Sequence, residues 1–188
     1  EIILVVDGPV GEGIDAVIEK YSSQYSFFKA IRLEENGGLG NALKIAVENC
    51  TNELIARMDS DDIAASDRFE VQLAQMEETG ADICGGFITE FIDEPDNVVS
   101  QRDVPLTDCD IKEYMKKRCP FNHMTVMYKK SVVEKCGGYK TMYCNEDYYL
   151  WLRMYLAGMT FANLPDNLVH VRVGKEMYRR RGGRKYFK

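Results

Sequence analysis

Short β-branched apolar runs alternate with stretches whose apolar residues recur every three or four positions, and this alternation organises the first half of the chain. EIILVV (Glu1 to Val6) is a continuous apolar run ending at Asp7-Gly8-Pro9, the pattern of a buried parallel strand meeting a turn. Ile14, Val17, Ile18 and Tyr21 then recur at i, i+3, i+4 and i+7, which predicts a helix face. FFKAIRL predicts a second strand, and ENGGLGNALKIAVENC turns through glycines into a helix with Leu39, Leu43, Ala46, Val47 and Cys50 on one side. ELIARMD reads as the next strand, Phe69, Leu73 and Met76 mark the helix after it, and ADICGGFITEFI is a further strand.

The second half is less regular. DIKEYMKKRC predicts a short helix, NHMTVMYKK a strand, and SVVEKCGGY a short helix closed by glycines. EDYYLWLRMYLAGM predicts a helix facing inward through Tyr148, Leu152, Tyr155 and Leu156, with Gly158 closing it, and NLVHVRV is a last strand. Strand alternating with helix is the signature of an α/β chain with a mostly parallel central sheet and helices on its faces. Ligands of such sheets sit outside the carboxyl ends of the strands. Asp7 and the acids of MDSDD both fall at such ends, so the expectation is that they share one rim.

Composition narrows the class. With 188 residues, one domain with one core is expected, and 45% hydrophobic against 29% charged residues is ordinary for a soluble globular chain. No run of roughly 18 apolar residues predicts a membrane span, and no signal-peptide pattern is visible, so a cytoplasmic setting is expected. The six cysteines form no C-x-x-C pair and no zinc spacing, which fits reduced thiols there. The net charge of -6 is uneven: from Lys175 onward seven basic residues face one acid, leaving 17 basic and 29 acidic residues before them. An acidic body excludes a general nucleic-acid binder. The basic end, KEMYRRRGGRKYFK, carries Tyr178, Tyr186 and Phe187 among its cations and suits an anionic bilayer surface at the inner face of a membrane.

The chemistry is carried by MDSDD. Asp59, Asp61 and Asp62 are close enough to repel unless a cation sits among them. In an extended chain Asp59 and Asp61 point to one side, and Asp62 joins them as the strand breaks. Such an oxygen-only set suits Mg²⁺, Mn²⁺ or Ca²⁺, and Mg²⁺ or Mn²⁺ commonly takes part of its shell from phosphate. A calcium loop fails because Ile63 and Ala64 stand at its fifth and sixth positions, the latter where glycine is needed. Helix capping accounts for Asp67 but not for three acids fed by a strand. A dinucleotide site on GGLGNAL lacks the third glycine, Leu43 standing there. His123 in FNHMT has a site role open to it, as metal ligand or substrate contact, whereas His170 in a strand reads as structural. Trp151 lies at helical spacing from Asp147 and is read either as the floor of a sugar site or as core. Arg57 faces the same rim or forms an ion pair, and Arg68 is expected to pair with a nearby acid.

The blocks EIILVVDG, NGGLGNAL, ELIARMDSDDIAASDRFEVQ, FNHMTVMY, CGGY and NEDYYLWLRM, in this order, resemble the family-2 glycosyltransferases of the GT-A fold, in particular bacterial members that build surface polysaccharides. MDSDD resembles the family's D-x-D metal motif and NEDYYLWLR its E-D motif. The resemblance implies a nucleotide-diphosphate sugar donor, with UDP favoured, a divalent cation (Mn²⁺ or Mg²⁺), a glycan or lipid-linked acceptor, and an inverting transfer. Carried over to this sequence, Asp61 is the main metal ligand, Asp59 touches ribose or the metal through water, and Asp62 is secondary. Asp7 reads the base, while Asn36, Gly37, Gly38 and Asn41 flank the nucleotide. Asp147 is the general base, with Glu146 its alternative. Residues 1–90 would form the nucleotide half, 91–174 the acceptor half, and 175–188 a separate basic segment.

The family normally places another apolar strand before EIILVVDG. Its absence implies either a truncated chain or a segment supplied by another chain, with weakened donor binding and a homodimer or strand swap as expected consequences. A non-catalytic GT-A binding module and a nucleotidyltransferase are the rival functions. The second should carry a basic, glycine-rich triphosphate loop near its start, and none is visible.

Overall fold

The computed structural model describes residues 1–142 and 144–174, so the basic segment expected at 175–188 lies outside the described residues. β1 (Ile2–Val6) and β2 (Phe28–Arg32) pair in parallel, Leu4 opposite Ala30, around the crossover helix α1 (Glu12–Gln24). This is the βαβ unit the sequence predicts. The run taken as buried is half-exposed, however, with Ile2 at 49%. In α1 only Ile18 is buried, while Ile14, Val17 and Tyr21 stay exposed. Helix α2 (Leu39–Asn49) follows from Gly38, whose φ of 82° is the left-handed turn that glycine allows.

The chain then enters a second sheet of six strands. β3 (Leu54–Ala56) pairs antiparallel with β7 (Met127–Lys129), which pairs antiparallel with the start of β5 (Ile83–Phe91). On its other side β5 runs parallel to β8 (Phe161–Arg172), and β4 (Ile63–Ala64) closes that edge antiparallel to β8. β6 (Val98–Arg102) folds back antiparallel on the end of β5. The α/β fold with flanking helices is as expected, but the mostly parallel sheet is not. Parallel pairing is confined to β1–β2 and β5–β8, and the other four pairings are antiparallel. Apolar runs mark strands without encoding their direction, and short returns such as 92–97 reverse the chain where a helical crossover would have kept it parallel.

β7 takes the first residues of one edge of β5 and β6 takes the last. Between them the turn at 122–125 satisfies the ladder with side chains. Asn122 Nδ2 donates to the Gly86 carbonyl at 2.9 Å, and Gly86 N–H donates to Thr125 Oγ1 at 3.1 Å. This places a short 3₁₀ turn, His123–Thr125, against the sheet where a longer strand was expected.

Helices α4 (Asp108–Met115), α5 (Lys130–Lys135) and α6 (Glu146–Leu156) cover one aromatic core around Trp151, Phe121, Tyr128 and Tyr139. Leu150, Trp151 and Met154 are the buried face of α6, while Leu156 is 81% exposed. The expected face was rotated because apolar residues surround most of this helix and fit more than one stripe. Its end is as expected: Gly158 (φ 75°) donates to Tyr155 O while Met159 N–H reaches back to Met154 O. In α3 (Arg68–Thr79) the buried row is Arg68, Gln72 and Met76, and Phe69 is 60% exposed. Of the expected inward row Met76 is buried as read, while Phe69 and Leu73 give way to the polar Arg68 and Gln72.

Candidate functional site

A cleft of about 720 Å³ opens where the acidic turn, the 122–125 turn, the ends of β6 and β8 and the start of α6 meet. Gly38, Asp59, Asp61, Asp62, His123, Glu146 and Asp147 all line it. Residues distant in sequence are therefore brought together, but Asp7, expected to share a rim with the MDSDD acids, does not line this cleft. Asp7, Asn36, Asn41 and Trp151 are not among the lining residues.

Strand β3 ends at Ala56, so the side-chain alternation expected at Asp59 and Asp61 does not apply: they lie in the loop and turn that follow. Arg57, with its side chain only 5% exposed, reaches over this turn and grips Asp59, Nη1 to Oδ2 at 3.0 Å and Nη2 to Oδ1 at 2.6 Å. The cation demanded by three adjacent acids is thus supplied in part by the chain itself. Asp62 Oδ1 accepts the Arg172 backbone N–H at 3.0 Å, while its buried Oδ2 has no hydrogen-bond partner. Burial, with Asp59 and Asp61 nearby, pushes the Asp62 carboxyl up to about 6 against the opposing pull of that N–H and of Arg57. Asp61 is exposed at the rim.

Among the described residues no group of three or more His, Cys, Asp or Glu is placed to hold a metal ion. The expected trio of Asp59, Asp61 and Asp62 does not form such a group, and both oxygens of Asp59 are bonded by Arg57. A smaller set remains. Asp61 and the unpartnered Oδ2 of Asp62 fit a hard cation that takes the rest of its shell from phosphate oxygens, as Mg²⁺ and Mn²⁺ do.

Arg68 supports the turn from beneath. It is 1% exposed, and it donates from Nη2 to the Arg57 carbonyl at 2.8 Å and from Nε to Gln72 Oε1 at 2.9 Å. Gln72 Nε2 continues to the carbonyls of Cys84 (2.9 Å) and Thr125 (2.8 Å). The acid expected to pair with Arg68 is replaced by these neutral acceptors. Burial and the neighbouring Arg57 lower the Arg68 guanidinium to about 10.

Asp7 is engaged by its own chain. Its Oδ1 accepts Gly37 N–H (2.8 Å) and its Oδ2 accepts Gly38 N–H (3.0 Å), while Asn36 Nδ2 donates to its carbonyl (3.1 Å). The backbone donors expected to face an anion thus hold the chain's own carboxylate. Asn41 packs against Gly37 from the first turn of α2.

On the opposite wall, Glu146 and Asp147 open α6 and complement the positive end of its dipole. Asp147 Oδ1 accepts the Tyr148 N–H at 2.7 Å; its Oδ2 lies 3.7 Å from Cys119 Sγ and 3.9 Å from His123 Nδ1. Burial raises the Asp147 carboxyl above the ordinary value against the pull of the Tyr148 N–H and of Arg57, and burial raises Glu146 as well. A carboxylate held more basic than usual, beside a cleft, can take a proton from a hydroxyl. Burial, followed by Arg57, holds His123 well below the usual histidine range, so it is neutral. Trp151 is 0% exposed and packs edge-on behind His123, which removes it from any direct contact with a ligand in the cleft. His170 bonds Thr89 (2.6 Å) within the sheet, a structural place as read from the sequence.

Arg102, Arg172, Cys119 and Tyr139 are site residues that sequence reasoning passed over. Arg102 ends β6, a strand whose polar VVSQR carries no strand alternation. Tyr139 follows two glycines and gave no chemical signal of its own; it touches the site only through His123.

A family model described as glycosyl transferase family 2 matches residues 1–142. An uncharacterized glycosyltransferase of Haemophilus influenzae is 44% identical over 184 residues, covering 97% of this chain and 68% of its own. The amylovoran biosynthesis glycosyltransferase AmsE of Erwinia amylovora is 40% identical over 188 residues, 100% of this chain and 70% of its own. The Escherichia coli UDP-Gal:alpha-D-GlcNAc-diphosphoundecaprenol beta-1,3-galactosyltransferase is 38% identical over 187 residues, 99% of this chain and 67% of its own. Among solved structures, TarS of S. aureus in complex with UDP-GlcNAc aligns at TM-score 0.68 and 20% identity over 93% of this chain. A mannosyltransferase from Pyrobaculum calidifontis in complex with GDP-Man and Mn²⁺ aligns at TM-score 0.68 and 16% identity over 95% of this chain. These likenesses establish the GT-A fold. The chain spans about half the length of those two structures, 50% and 49%.

Proposed function

Since this chain belongs to glycosyl transferase family 2, we propose that it moves a sugar from a nucleotide-diphosphate sugar, with UDP favoured, onto a glycan or lipid-linked acceptor, inverting the anomeric carbon. The observation that carries this reading is that Asp147, a half-buried carboxylate of raised basicity, lines the same cleft as the acidic turn of Asp59, Asp61 and Asp62. One wall suits a diphosphate leaving group and the other suits an attacking hydroxyl.

Asp147 accepts the proton of the acceptor hydroxyl as that oxygen bonds to the anomeric carbon, and the bond from that carbon to the diphosphate breaks with its electron pair leaving on the diphosphate. Asp61 and Asp62 are the residues that would hold a divalent cation, Mn²⁺ or Mg²⁺, which when bound would neutralise charge on that leaving group. Arg57 keeps Asp59 in place in the acidic turn, and Arg102 and Arg172 add positive charge to the cleft wall. Asp7 braces the loop of Asn36, Gly37 and Gly38, which we assign to the donor side; the cleft is lined from both the proposed nucleotide half (1–90) and the proposed acceptor half (91–174). The name of the E. coli relative favours a sugar on a lipid diphosphate as acceptor. Among the described residues no helix is long and apolar enough to cross a membrane, so contact with a lipid-linked acceptor is read as peripheral.

The reading is tested by a panel of nucleotide sugars with and without Mn²⁺. Thermal stabilisation and slow nucleotide release with one donor, only when metal is present, support it; no response to any donor contradicts it.

A further inference from the structure

We propose that His123 is the positioning residue of the base, its Nδ1–H aimed at Asp147 Oδ2 and its tautomer fixed by Tyr139; the proposal rests on Asp147 being that base. The geometry begins at the sheet. Asn122 and Thr125, on either side of His123 and Met124, are tied to Gly86, and Thr125 Oγ1 also donates back to the Asn122 carbonyl at 2.8 Å. The short turn carrying His123 therefore cannot shift without breaking bonds to β5. The imidazole is then fixed on two sides, edge-on to Trp151 (centroids 6.0 Å, interplanar 79°) and tilted on Tyr139 (5.7 Å).

Among the described residues each ring nitrogen has one polar neighbour. Nε2 lies 3.1 Å from the Tyr139 hydroxyl and Nδ1 lies 3.9 Å from Asp147 Oδ2. We assign the tautomer from these neighbours. A bare Nδ1 lone pair facing a carboxylate would be repelled, whereas an Nδ1–H is attracted, and Nε2 then accepts from the Tyr139 O–H. Burial holds the Tyr139 phenol well above its ordinary value, so it keeps its proton; the Tyr128 hydroxyl also bonds Tyr139, and in this assignment it donates to the Tyr139 oxygen and leaves the Tyr139 O–H to Nε2. The neutral His123 holds the carboxylate without taking its proton, which passes from the acceptor to Asp147 and then to solvent.

The 3.9 Å separation exceeds a hydrogen bond, and contacts of this kind commonly tighten only once substrate is bound. A histidine that merely filled the core would be satisfied by Tyr139 and would have no reason to line the cleft beside the base. The other groups facing or acting on Asp147 are Cys119, Glu146, Arg57 and Tyr139. Of these only Arg57 is cationic, and both its terminal nitrogens are engaged by Asp59; Cys119 Sγ donates to Oδ2 at 3.7 Å, a weak thiol bond, so among the described residues His123 is the neutral N–H donor placed to orient Oδ2 beside it.

The test is steady-state transfer by the wild type and by D147N, H123L, H123N and Y139F as a function of pH. Losing the Nδ1–H removes a bond that favours the ionised carboxylate, so the acid limb of the profile should move to higher pH. H123L should lower kcat on the order of 10- to 100-fold with the donor KM unchanged. H123N, whose amide N–H can stand where Nδ1–H stood, should recover most of the rate and the limb. Y139F should move the limb the same way by less. Transfer lost in D147N but unchanged in rate and pH profile in H123L would overturn the proposal alone. So would equal losses in H123L and H123N with the limb unmoved, the mark of a packing role. Transfer by D147N at the wild-type rate would overturn the base assignment, and the proposal with it.

Discussion

Arg57 and Asp59, two residues apart, form a fork in which both terminal guanidinium nitrogens meet both carboxylate oxygens, at 3.0 and 2.6 Å. Repulsion among Asp59, Asp61 and Asp62 is relieved from within before any cation arrives. In the proposed function this leaves Asp61 and Asp62 to hold the cation, and Asp59 becomes the anchor of a buried arginine whose charge also acts on Asp62, Glu146 and Asp147.

Replacing that arginine should expose the repulsion. R57M leaves the acids uncompensated and is expected to cost about 1.5–3 kcal/mol at neutral pH, the range for hydrogen bonds to a charged group. Added Mn²⁺ should restore more stability to R57M than to the wild type. Urea denaturation with and without the metal measures both, and equal metal effects in the two proteins would contradict the shared role.

The turn is also held from below. Gln72, 0% exposed, accepts from Arg68 and donates to the carbonyls of Cys84 and Thr125. Q72L keeps the volume but orphans these buried groups, and a loss of about 3 kcal/mol is expected from the desolvation of unpaired polar atoms. A denaturation midpoint equal to that of the wild type would show that the network adds nothing.

Gly40 sits inside α2, where alanine is ordinarily better by about 1 kcal/mol. Here a Cβ would lie 2.8 Å from the Lys140 carbonyl, on the segment leading into Glu146 and Asp147. G40A should therefore lose about 1–2 kcal/mol, overpacking outweighing the helix gain. Transfer should fall with it as the start of α6 is displaced. Thermal melting and a rate assay check the two effects, and a more stable G40A would refute the close approach.

Asp147 carries a pH signature in stability as well. Its folded value is raised by burial, so the protonated carboxyl is the form that folding favours. That contribution is present below the unfolded value and is lost as pH rises through the folded one. D147N, permanently neutral, should be more stable than the wild type at neutral pH, with the gap closing as the solution is acidified. Melting curves over a pH series follow this directly, and a gap that widens in acid would contradict it.

Much of this was legible from the sequence because local pattern and chemistry coincide. The β1–α1–β2 unit follows from EIILVV, the Ile18 face and FFKAIRL. The cleft follows from acids at strand and helix ends, which brought Asp61 and Asp147 to one site. Strand direction was not legible, since β6 and β7 depend on where short returns lead. The inward row of α3 was misread because Arg68 and Gln72 are buried for hydrogen bonds to carbonyls that no periodicity reveals, leaving Phe69 outside. Asp7 and His123 were seen as chemically interesting, but their partners, the Gly37 and Gly38 amides and Tyr139, lie about thirty and sixteen residues away. Trp151 could be read as core or as sugar floor until the packing of Phe121, His123 and Tyr139 around it decided for core.

The most direct test of the central claim is a transfer assay on the protein with UDP-sugars, Mn²⁺ and a GlcNAc-diphosphate lipid acceptor, the product's anomeric configuration being read by NMR. The account predicts a glycoside of inverted configuration, formed by the wild type and lost both in D147N and on chelation of the metal. Undiminished transfer by D147N, transfer that persists in chelator, or a product of retained configuration would contradict it.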